Sequence, residues 1–461
     1  MLKNKLISKF LIIAVISFLS SIVSLIIYHH FFTRPIINYY SGNGIKNISN
    51  SNLLNDFKTD GFSNIINPAI PSIVFVQAIK NADFQPNIIE SGSGVILTSD
   101  GYIVTNAHVL KDNKNIIVTN HLNQQFEAQI IGIDEATDIA VLKINVTNHP
   151  FLFIENSSSI EIGDIVFAIG NPYKLRNSVS LGIISAKNRS LNILGSNGVE
   201  SYIQTDALAN SGNSGGALID SNGKMIGLIS AVNNENKSKS GFSFAIPSNI
   251  LKKVVFDIIN YNSVQRARLG LGVSDVPSSF ETKYRKGAFI NSSEIDGPGQ
   301  KAGIRKEDII ISVDSIEIEN SAHFQSVIAE KKPGDKIDLR IVRQNSIRKI
   351  NATLTNFMNT TELISKRNDK EFSDLGLQVR DLTSIEIKNF SSNGVLIVSV
   401  LQDSKAARSN MEPDYIIEEL NGKKVSSVDE LLNMLKKSDK VLKFNGIYKN
   451  YPGKFPYILE R

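Results

Sequence analysis

The sequence predicts a mainly β protein, in which a region of short strands is followed by two copies of a smaller α+β domain. Between residues 71 and 260, short runs rich in β-branched residues alternate with turn residues, which indicates a barrel or sandwich of short strands. Between residues 261 and 461, three motifs recur at a nearly constant offset, the signature of a duplicated domain. The length of 461 residues suits about three domains of ordinary size.

The first region contains eleven predicted strands, and a predicted helix at 247–259 closes it. The strands are 73–77, 94–97, 102–105, 116–119, 129–133, 139–144, 165–170, 179–186, 201–205, 216–219 and 224–230. Strands this short, each bounded by turn residues, are typical of all-β domains.

The second region is a repeat. Leu-Gly-Leu at 269–271 recurs at 375–377, Gly-Ala-Phe-Ile at 287–290 corresponds to Gly-Val-Leu-Ile at 394–397, and Asp308 corresponds to Asp414. The offsets are 106, 107 and 106 residues. We therefore expect two domains, 261–355 and 370–461, joined by a polar stretch.

The N-terminus carries a hydrophobic segment behind a cationic flank. Lys3, Lys5 and Lys9 precede an uncharged stretch at 10–28 that is long enough to span a bilayer. The positive flank should stay on the cytoplasmic side, so the rest of the chain would cross the membrane. We expect residues 1–37 to be a membrane anchor or a cleaved signal segment, and the anchor is favoured because no small-residue cleavage site follows. Residues 38–62, rich in Asn, Ser and Gly, indicate a tether.

Composition excludes several classes of function. The chain has no cysteine, so thiolate catalysis, disulfides and cysteine-ligated metals are excluded. The 50 Lys and Arg against 45 Asp and Glu give a net charge of +5 without basic blocks beyond the first residues, so no nucleic acid partner is expected. The six histidines have no metal-site spacing. We expect no metal and no cofactor.

Three motifs in the β-rich region carry the chemistry. They are Thr-Asn-Ala-His-Val at 105–109, Thr-Asp-Ile-Ala-Val-Leu at 137–142 and Gly-Asn-Ser-Gly-Gly at 212–216. Each alone is also compatible with a structural histidine, a capping aspartate or a loop. Together they meet the needs of acyl transfer, with Ser214 as nucleophile, His108 as base and Asp138 orienting the imidazole. Glycines around Ser214 allow a tight turn that aims the amides of Gly212 and Ser214 at an oxyanion.

These motifs resemble those of the HtrA (Deg) family of bacterial envelope serine proteases. Further family-like motifs are Gly-Ser-Gly-Val-Ile at 92–96, Ala-Ile-Gly-Asn-Pro at 168–172, Ile-Gln-Thr-Asp-Ala at 203–207 and Phe-Ala-Ile-Pro-Ser at 244–248. The resemblance implies a chymotrypsin-like double β-barrel over residues 63–260, followed by two PDZ domains. It also implies homotrimers or larger assemblies, and ATP-independent degradation of unfolded or damaged proteins in the periplasm as part of quality control.

The resemblance also suggests binding residues. Arg268, Leu269, Gly270 and Leu271 look like a PDZ loop that captures peptide C-termini. Leu208 and Ala209 are candidates for the first specificity pocket, or are simply barrel core. In the second copy, Ala-Arg-Ser-Asn at 407–410 and Pro413 replace the expected pattern. That copy either recognises peptides or serves as a structural or oligomer-contact domain.

Two other functions stay open. One is a membrane-anchored regulatory protease that would cut only a few membrane targets. Proteases of that type typically have one PDZ domain, so the two copies in this chain count against it. A chaperone or peptide-binding scaffold would use proteolysis only secondarily, but the complete set of three catalytic motifs argues against a purely noncatalytic version.

Overall fold

The computed structural model describes residues 61–460, apart from 83–84, 111–114, 173–176, 196–197, 211, 231–240, 365–368, 401–403, 439 and 450. The predicted anchor at 10–28 and almost all of the tether at 38–62 lie outside the described residues. Among the described residues, no helix combines the length and the hydrophobicity that crossing a membrane requires.

The first barrel is a closed sheet of six antiparallel strands in the order β1-β2-β3-β6-β5-β4. Its strands are β1 (Ile73–Ala82), β2 (Gln85–Ile96), β3 (Tyr102–Thr105), β4 (Asn115–Thr119), β5 (Gln125–Asp134) and β6 (Ile139–Lys143). β-Branched residues dominate its core, including Val74, Val76, Ile103 and Ile116, all at most 1% exposed. A short helix, α2 (Ala107–Leu110), leaves β3, and a one-turn helix, α1 (Ser63–Ile66), precedes the barrel.

The second barrel repeats the same closed arrangement in the order β10-β11-β12-β9-β8-β7. Its strands are β7 (Ile165–Gly170), β8 (Ser178–Arg189), β9 (Tyr202–Thr205), β10 (Ala217–Asp220), β11 (Met225–Ser230) and β12 (Ser243–Pro247). All six residues of β11 are buried, although alternate residues of a barrel strand face outward, so the outer face of this strand is covered as well. The twelve strands overlap every predicted strand, so the prediction of a β-barrel region is confirmed.

Helix α3 (Ser248–Tyr261) leaves the second barrel and packs on both barrels. Ile250, Leu251, Val254, Val255 and Ile258 recur at helical spacing and are almost completely buried, which explains why this amphipathic segment forms a helix. It ends at Asn262 in the left-handed conformation, whose amide donates to Ile258 O.

The third domain is a six-stranded sheet with short helices. Its path is β13-β14-β15-β17-β18, with β16 paired to β15. The elements are β13 (Leu271–Asp275), β14 (Ala288–Ser293), α4 (Pro298–Lys301), β15 (Ile309–Val313), β16 (Ile316–Glu317), α5 (Ser321–Ala329), β17 (Lys336–Arg343) and β18 (Ser346–Thr353). β13 is therefore an edge strand.

The fourth domain has the same sheet order, β19-β20-β21-β23-β24 with β22 on β21. Its elements are α6 (Lys370–Leu375), β19 (Leu377–Asp381), α7 (Ser384–Phe390), β20 (Val395–Val400), α8 (Lys405–Arg408), β21 (Tyr415–Leu420), β22 (Lys423–Lys424), α9 (Val428–Lys437), β23 (Val441–Tyr448) and β24 (Tyr451–Glu460). β13 and β14 correspond to β19 and β20 at offsets of 106 and 107 residues, so the duplication is confirmed.

Candidate active site

His108 and Asp138 form the centre of the candidate site. The imidazole Nδ1 lies 2.8 Å from one carboxylate oxygen of Asp138 and 3.0 Å from the other. The carboxylate is largely buried, with its side chain 10% exposed, whereas the imidazole side chain is 44% exposed. Donation from Nδ1 to the carboxylate leaves the lone pair on Nε2, which is the tautomer that a general base requires.

The backbone around Asp138 fixes this pairing. Asp138 adopts the left-handed conformation, with φ of 57°. Its carbonyl accepts bonds from the Asn106 side-chain amide at 3.0 Å and the Ala107 amide at 3.1 Å, and its carboxylate accepts the His108 amide at 3.0 Å. These three hydrogen bonds join the turn before β6 to the start of α2, in addition to the imidazole pairing. The carboxylate has little freedom to leave the imidazole.

Ser214 lies in a tight turn just before β10. Gly212 and Gly215 flank it with φ of 94° and 83°, values that L side chains rarely adopt. The Gly215 amide donates to Ile229 O at 2.8 Å, and the Ser93 amide donates to Ser214 O at 2.7 Å. These bonds connect the serine turn to β11 of its own barrel and to β2 of the other barrel.

Gly92 brings the two halves of the site close together. A Cβ built on Gly92 would lie 2.7 Å from a Val109 methyl group and 2.9 Å from Ser214 O. The residue next to His108 and the backbone of Ser214 therefore contact the same glycine from two sides. Only glycine permits this approach, which explains the glycine in the 92–96 motif.

A hydroxyl on β2 ties two loops near Ser214 together. Ser93 Oγ donates to Gly212 O at 2.7 Å and accepts the Asn171 amide at 2.8 Å. The bond from Ser93 Oγ fixes the orientation of the Gly212 carbonyl. The predicted donors of the oxyanion hole, the amides of Gly212 and Ser214, belong to this braced turn.

The residues predicted for the first specificity pocket lie between β9 and the serine turn. Leu208 is 49% exposed. The Ala209 amide donates to Ser243 Oγ at 2.7 Å, and its side chain packs on the core of the second barrel. The two residues therefore differ, since Leu208 offers an apolar surface to solvent and Ala209 contributes to the barrel.

In the third domain, the predicted peptide-binding loop leads into the edge strand β13. Gly270 has φ of 66°, and Leu269 is buried while Leu271 is half-buried. The Arg268 side chain forms an ion pair with Glu294. A Cβ on Gly270 would lie 2.7 Å from a Glu294 carboxylate oxygen. A carboxylate thus borders this loop, a feature that the repeat comparison did not predict.

In the fourth domain a helix leads into the corresponding loop, whose Gly376 keeps a left-handed φ of 78°. α6 precedes β19, and its Phe372 and Leu375 are buried in the domain core. Leu377 and Val379 on β19 are 2% and 0% exposed, whereas the equivalent Leu271 and Val273 on β13 are half-buried. The groove beside β19 is therefore more closed than that beside β13.

Ser230 contributes to the site although no sequence motif indicated it. Its hydroxyl donates to an Asp138 carboxylate oxygen at 3.3 Å across 92 residues of sequence. A serine at a strand end has no local signature, so this long-range contact could not be read from the chain. Over the part of the chain that the structure describes, no group of three or more His, Asp or Glu side chains is arranged to hold a metal ion.

Two six-stranded barrels, a histidine–aspartate pair on the first and a glycine-flanked serine on the second define a trypsin-like serine peptidase. Family models agree, because residues 92–228 match the trypsin-like peptidase domain and residues 267–354 match the PDZ domain. The fourth domain shares the sheet order of the PDZ match.

Relatives identify the family more closely. A probable periplasmic serine endoprotease DegP-like of Chlamydia trachomatis is 36% identical over 356 residues, covering 75% of this chain and 70% of that protein. One from Brucella suis, with the same description, is 30% identical over 358 residues, covering 76% and 69%. The chain belongs to the HtrA/Deg family of DegP-like serine endoproteases and is a serine endopeptidase.

Solved structures agree with this assignment. The HtrA-type protease AlgW with tripeptide has a TM-score of 0.52 at 33% identity, covering 64% of this chain and 97% of that one. AlgW with decapeptide has a TM-score of 0.51 at 31% identity, covering 64% and 98%. The prediction of an HtrA-like protease is confirmed.

Proposed function

We propose that the chain hydrolyses peptide bonds with Ser214 as nucleophile, His108 as general base and Asp138 as the group that orients the imidazole. The observation that carries this assignment is the pairing of His108 Nδ1 with the buried Asp138 carboxylate at 2.8 Å. The Ser214 hydroxyl attacks the carbonyl while His108 Nε2 takes its proton. The imidazolium then protonates the leaving amine, and water repeats the cycle on the acyl-enzyme. The amides of Gly212 and Ser214 stabilise the oxyanion.

The substrates we propose are unfolded or damaged proteins of the bacterial envelope, degraded without ATP. Membership in a family whose relatives are named periplasmic serine endoproteases supports this proposal. The test compares the wild-type full-length chain with Ser214→Ala on an unfolded casein-type substrate and on a folded control protein. Cleavage of only the unfolded substrate, lost in Ser214→Ala, is expected. An intact unfolded substrate in the presence of wild type would overturn the proposal, and suppressed aggregation by Ser214→Ala would add a chaperone role.

The third domain is proposed to bind peptide C-termini through Arg268, Leu269, Gly270 and Leu271. A peptide would add as a strand to the edge of β13, beside α5. The left-handed Gly270 and the half-buried Leu271 support this proposal. The fourth domain is proposed to have lost this activity, because α6 leads directly into the loop and Leu377 and Val379 on β19 are buried in the domain core. Its role is then structural or in contacts between copies of the chain.

Homo-oligomers, with a trimer as the smallest, are also proposed. Three apolar residues at alternate positions of β8 support this: Val179, Leu181 and Ile183 are 36%, 50% and 41% exposed. An exposed apolar stripe on a closed barrel is typical of a protein contact. Light scattering coupled to size exclusion measures the mass, and Leu181→Lys should lower it if this stripe lies in the contact.

We propose a periplasmic location, with the N-terminal segment at 10–28 as a tether to the inner membrane. The mass of the native protein's N-terminus tests this directly. Retention of residues 10–28 in the membrane fraction supports the tether, whereas a mature chain that begins beyond them indicates a secreted form.

For the first specificity pocket, we propose that Leu208 and Ala209 contribute to a site for small or medium aliphatic side chains of the substrate.

A further inference from the structure

A carboxylate outside the proposed triad organises the loop between β8 and β9. Glu200 is only 4% exposed. One of its oxygens accepts the Ser190 hydroxyl at 3.0 Å and two backbone amides, and the other accepts two more. The four amides belong to residues 191–194, at 2.6, 2.5, 2.5 and 2.7 Å. Residues 190–194 therefore surround the Glu200 carboxylate and donate five hydrogen bonds to it.

The carboxylate must be ionised to accept all five bonds. Burial alone raises the pKa of Glu200, but the amides of residues 191, 193 and 194 and the Ser190 hydroxyl outweigh it and lower the pKa below the ordinary value. A glutamine at this position would direct its NH2 group at amide N–H groups. Two donors would then face each other in a buried position, so half of the loop's bonds would be lost.

The residue before Glu200 connects this loop to the proposed triad. The Val199 amide donates to Ala136 O at 2.8 Å. Ala136 lies two residues before Asp138, in the turn that holds the carboxylate against His108. The loop folded on Glu200 therefore supports the Asp138 turn from the second barrel, through one backbone hydrogen bond.

We propose that Glu200 is a positioning residue: by holding residues 190–194 around its carboxylate, it places Val199 where this residue holds the Asp138 turn in the geometry that orients His108. This inference rests on the proposed triad. Glu200 touches neither the reacting atoms nor the imidazole in this arrangement, and acts only through Val199 and Ala136.

Other ionisable groups adjoin the same turn. Asp134 pairs with Arg266 and accepts the Thr137 hydroxyl, while Lys253 lies near Asp134. Tyr202 on β9 is buried, and its pKa is raised by burial and further by the charges of Glu200 and Asp138. Tyr202 therefore stays protonated at neutral pH.

The test measures kcat, KM and the pH dependence of kcat/KM for the full-length chain and Glu200→Gln, with an unfolded protein or a chromogenic peptide as substrate. We expect kcat to fall about 10- to 100-fold because a poorly placed Asp138 misorients the imidazole, with KM changed less than about twofold. The acidic limb should also move to lower pH, because a displaced Asp138 carboxylate no longer contacts the imidazole in the same geometry.

A matched control and a second variant keep the test decisive. Glu386→Gln removes a carboxylate that is equally buried, but in the fourth domain, and should leave kcat and the acidic limb unchanged. Val199→Pro removes the amide donor to Ala136 together with the valine side chain, whereas Val199→Ala removes the side chain and keeps the donor. Only Val199→Pro should reproduce the Glu200→Gln profile.

The proposal is overturned if folded Glu200→Gln keeps the wild-type kcat and acidic limb. If Glu200→Gln fails to fold, Val199→Pro decides alone, and a wild-type profile in that variant rejects the proposal. Full activity in Ser214→Ala would instead reject the triad itself, so the two failures are distinguishable.

Discussion

Ser230 Oγ lies 3.3 Å from a carboxylate oxygen of Asp138, so the second barrel contributes a hydroxyl to the aspartate of the first. Both residues are buried. Together with the His108 amide and imidazole, the hydroxyl brings the donors on this carboxylate to three among the described residues. The two barrels are therefore joined at the Asp138 carboxylate as well as through the bond from the Ser93 amide to Ser214 O.

Ser230→Ala should lower kcat about 3- to 10-fold, because a long hydrogen bond to a charged acceptor contributes modestly. KM should change little, since Ser230 points at Asp138. Steady-state kinetics on a peptide substrate measures this. Ser312→Ala is the matched control, as Ser312 is also buried and hydrogen-bonded, to Arg340 in the third domain. Equal losses of kcat in both variants would contradict a local role for Ser230.

Gly92→Ala should inactivate the enzyme and lower its stability. The added methyl group would lie 2.7 Å from Val109 and 2.9 Å from Ser214 O, so the His108 helix or the Ser214 turn must move. A displacement of about 1 Å at reacting groups can cost 100-fold in rate. Thermal unfolding and kcat are measured together.

The control for Gly92→Ala is Gly303→Ala. Gly303 has φ of 87° and open space around it, so alanine there adds backbone strain of about 1–2 kcal/mol without touching the site. We expect lower stability at normal kcat. Full activity of Gly92→Ala would contradict the prediction, because it would show that the His108 helix and the Ser214 turn can move apart without loss of catalysis.

Glu294→Gln should tighten binding of apolar peptides to the third domain by about 3- to 10-fold. Glu294 holds Arg268 in an ion pair and places a negative charge beside Gly270, where a peptide carboxylate would bind. Fluorescence anisotropy with a labelled peptide measures the affinity. The gain should vanish with a C-terminally amidated peptide and in high salt.

Glu317→Gln is the matched control for this prediction. Glu317 also faces an arginine, Arg340, but is highly exposed and lies on β16. Its removal should leave affinity unchanged. The amidated peptide has no terminal carboxylate. If Glu294→Gln raises its affinity as much as that of the free-acid peptide, repulsion between Glu294 and the peptide carboxylate does not explain the tighter binding.

The sequence predicted eleven of the twelve barrel strands, all but β12, and the duplicated domain, because short apolar runs between turn residues and a constant repeat offset are local signals. It also named His108, Asp138 and Ser214 as candidates. It did not indicate Ser230, Glu200 or Glu294. Each of these acts through a partner on another element, as Ser230 does across 92 residues, and such pairings exist only after folding.

The fourth domain illustrates a second limit. Leu-Gly-Leu at 375–377 repeats the motif of the third domain, yet residues 370–375 form α6. Phe372 enters the domain core, where burial of a phenylalanine contributes about 1.5–3 kcal/mol. The shared tripeptide could not reveal this helix, because almost all of the helix precedes the tripeptide and is stabilised by packing.

The last prediction concerns acid stability of the fourth domain. Burial by itself raises the pKa of Glu386, but bonds from Arg380, the Thr383 amide and Lys449 more than compensate and lower the pKa to about 2. Because the folded pKa lies below the unfolded value, the stabilisation is fully present above about pH 4.5 and is lost as pH falls towards 2.

Glu386→Gln should therefore destabilise this domain at pH 7 by about 3–5 kcal/mol, because the buried Arg380 guanidinium loses its charged partner. The variant should also lose stability less steeply than wild type between pH 4.5 and 2. Hydrogen exchange of amides in β19 and β20, followed by mass spectrometry, reports this domain separately from the barrels. Glu430→Gln is the control, because Glu430 is exposed and its carboxylate accepts hydrogen bonds from Ser426, without a buried arginine as partner. Parallel pH profiles for wild type and Glu386→Gln would show that the ion pair does not control the acid response.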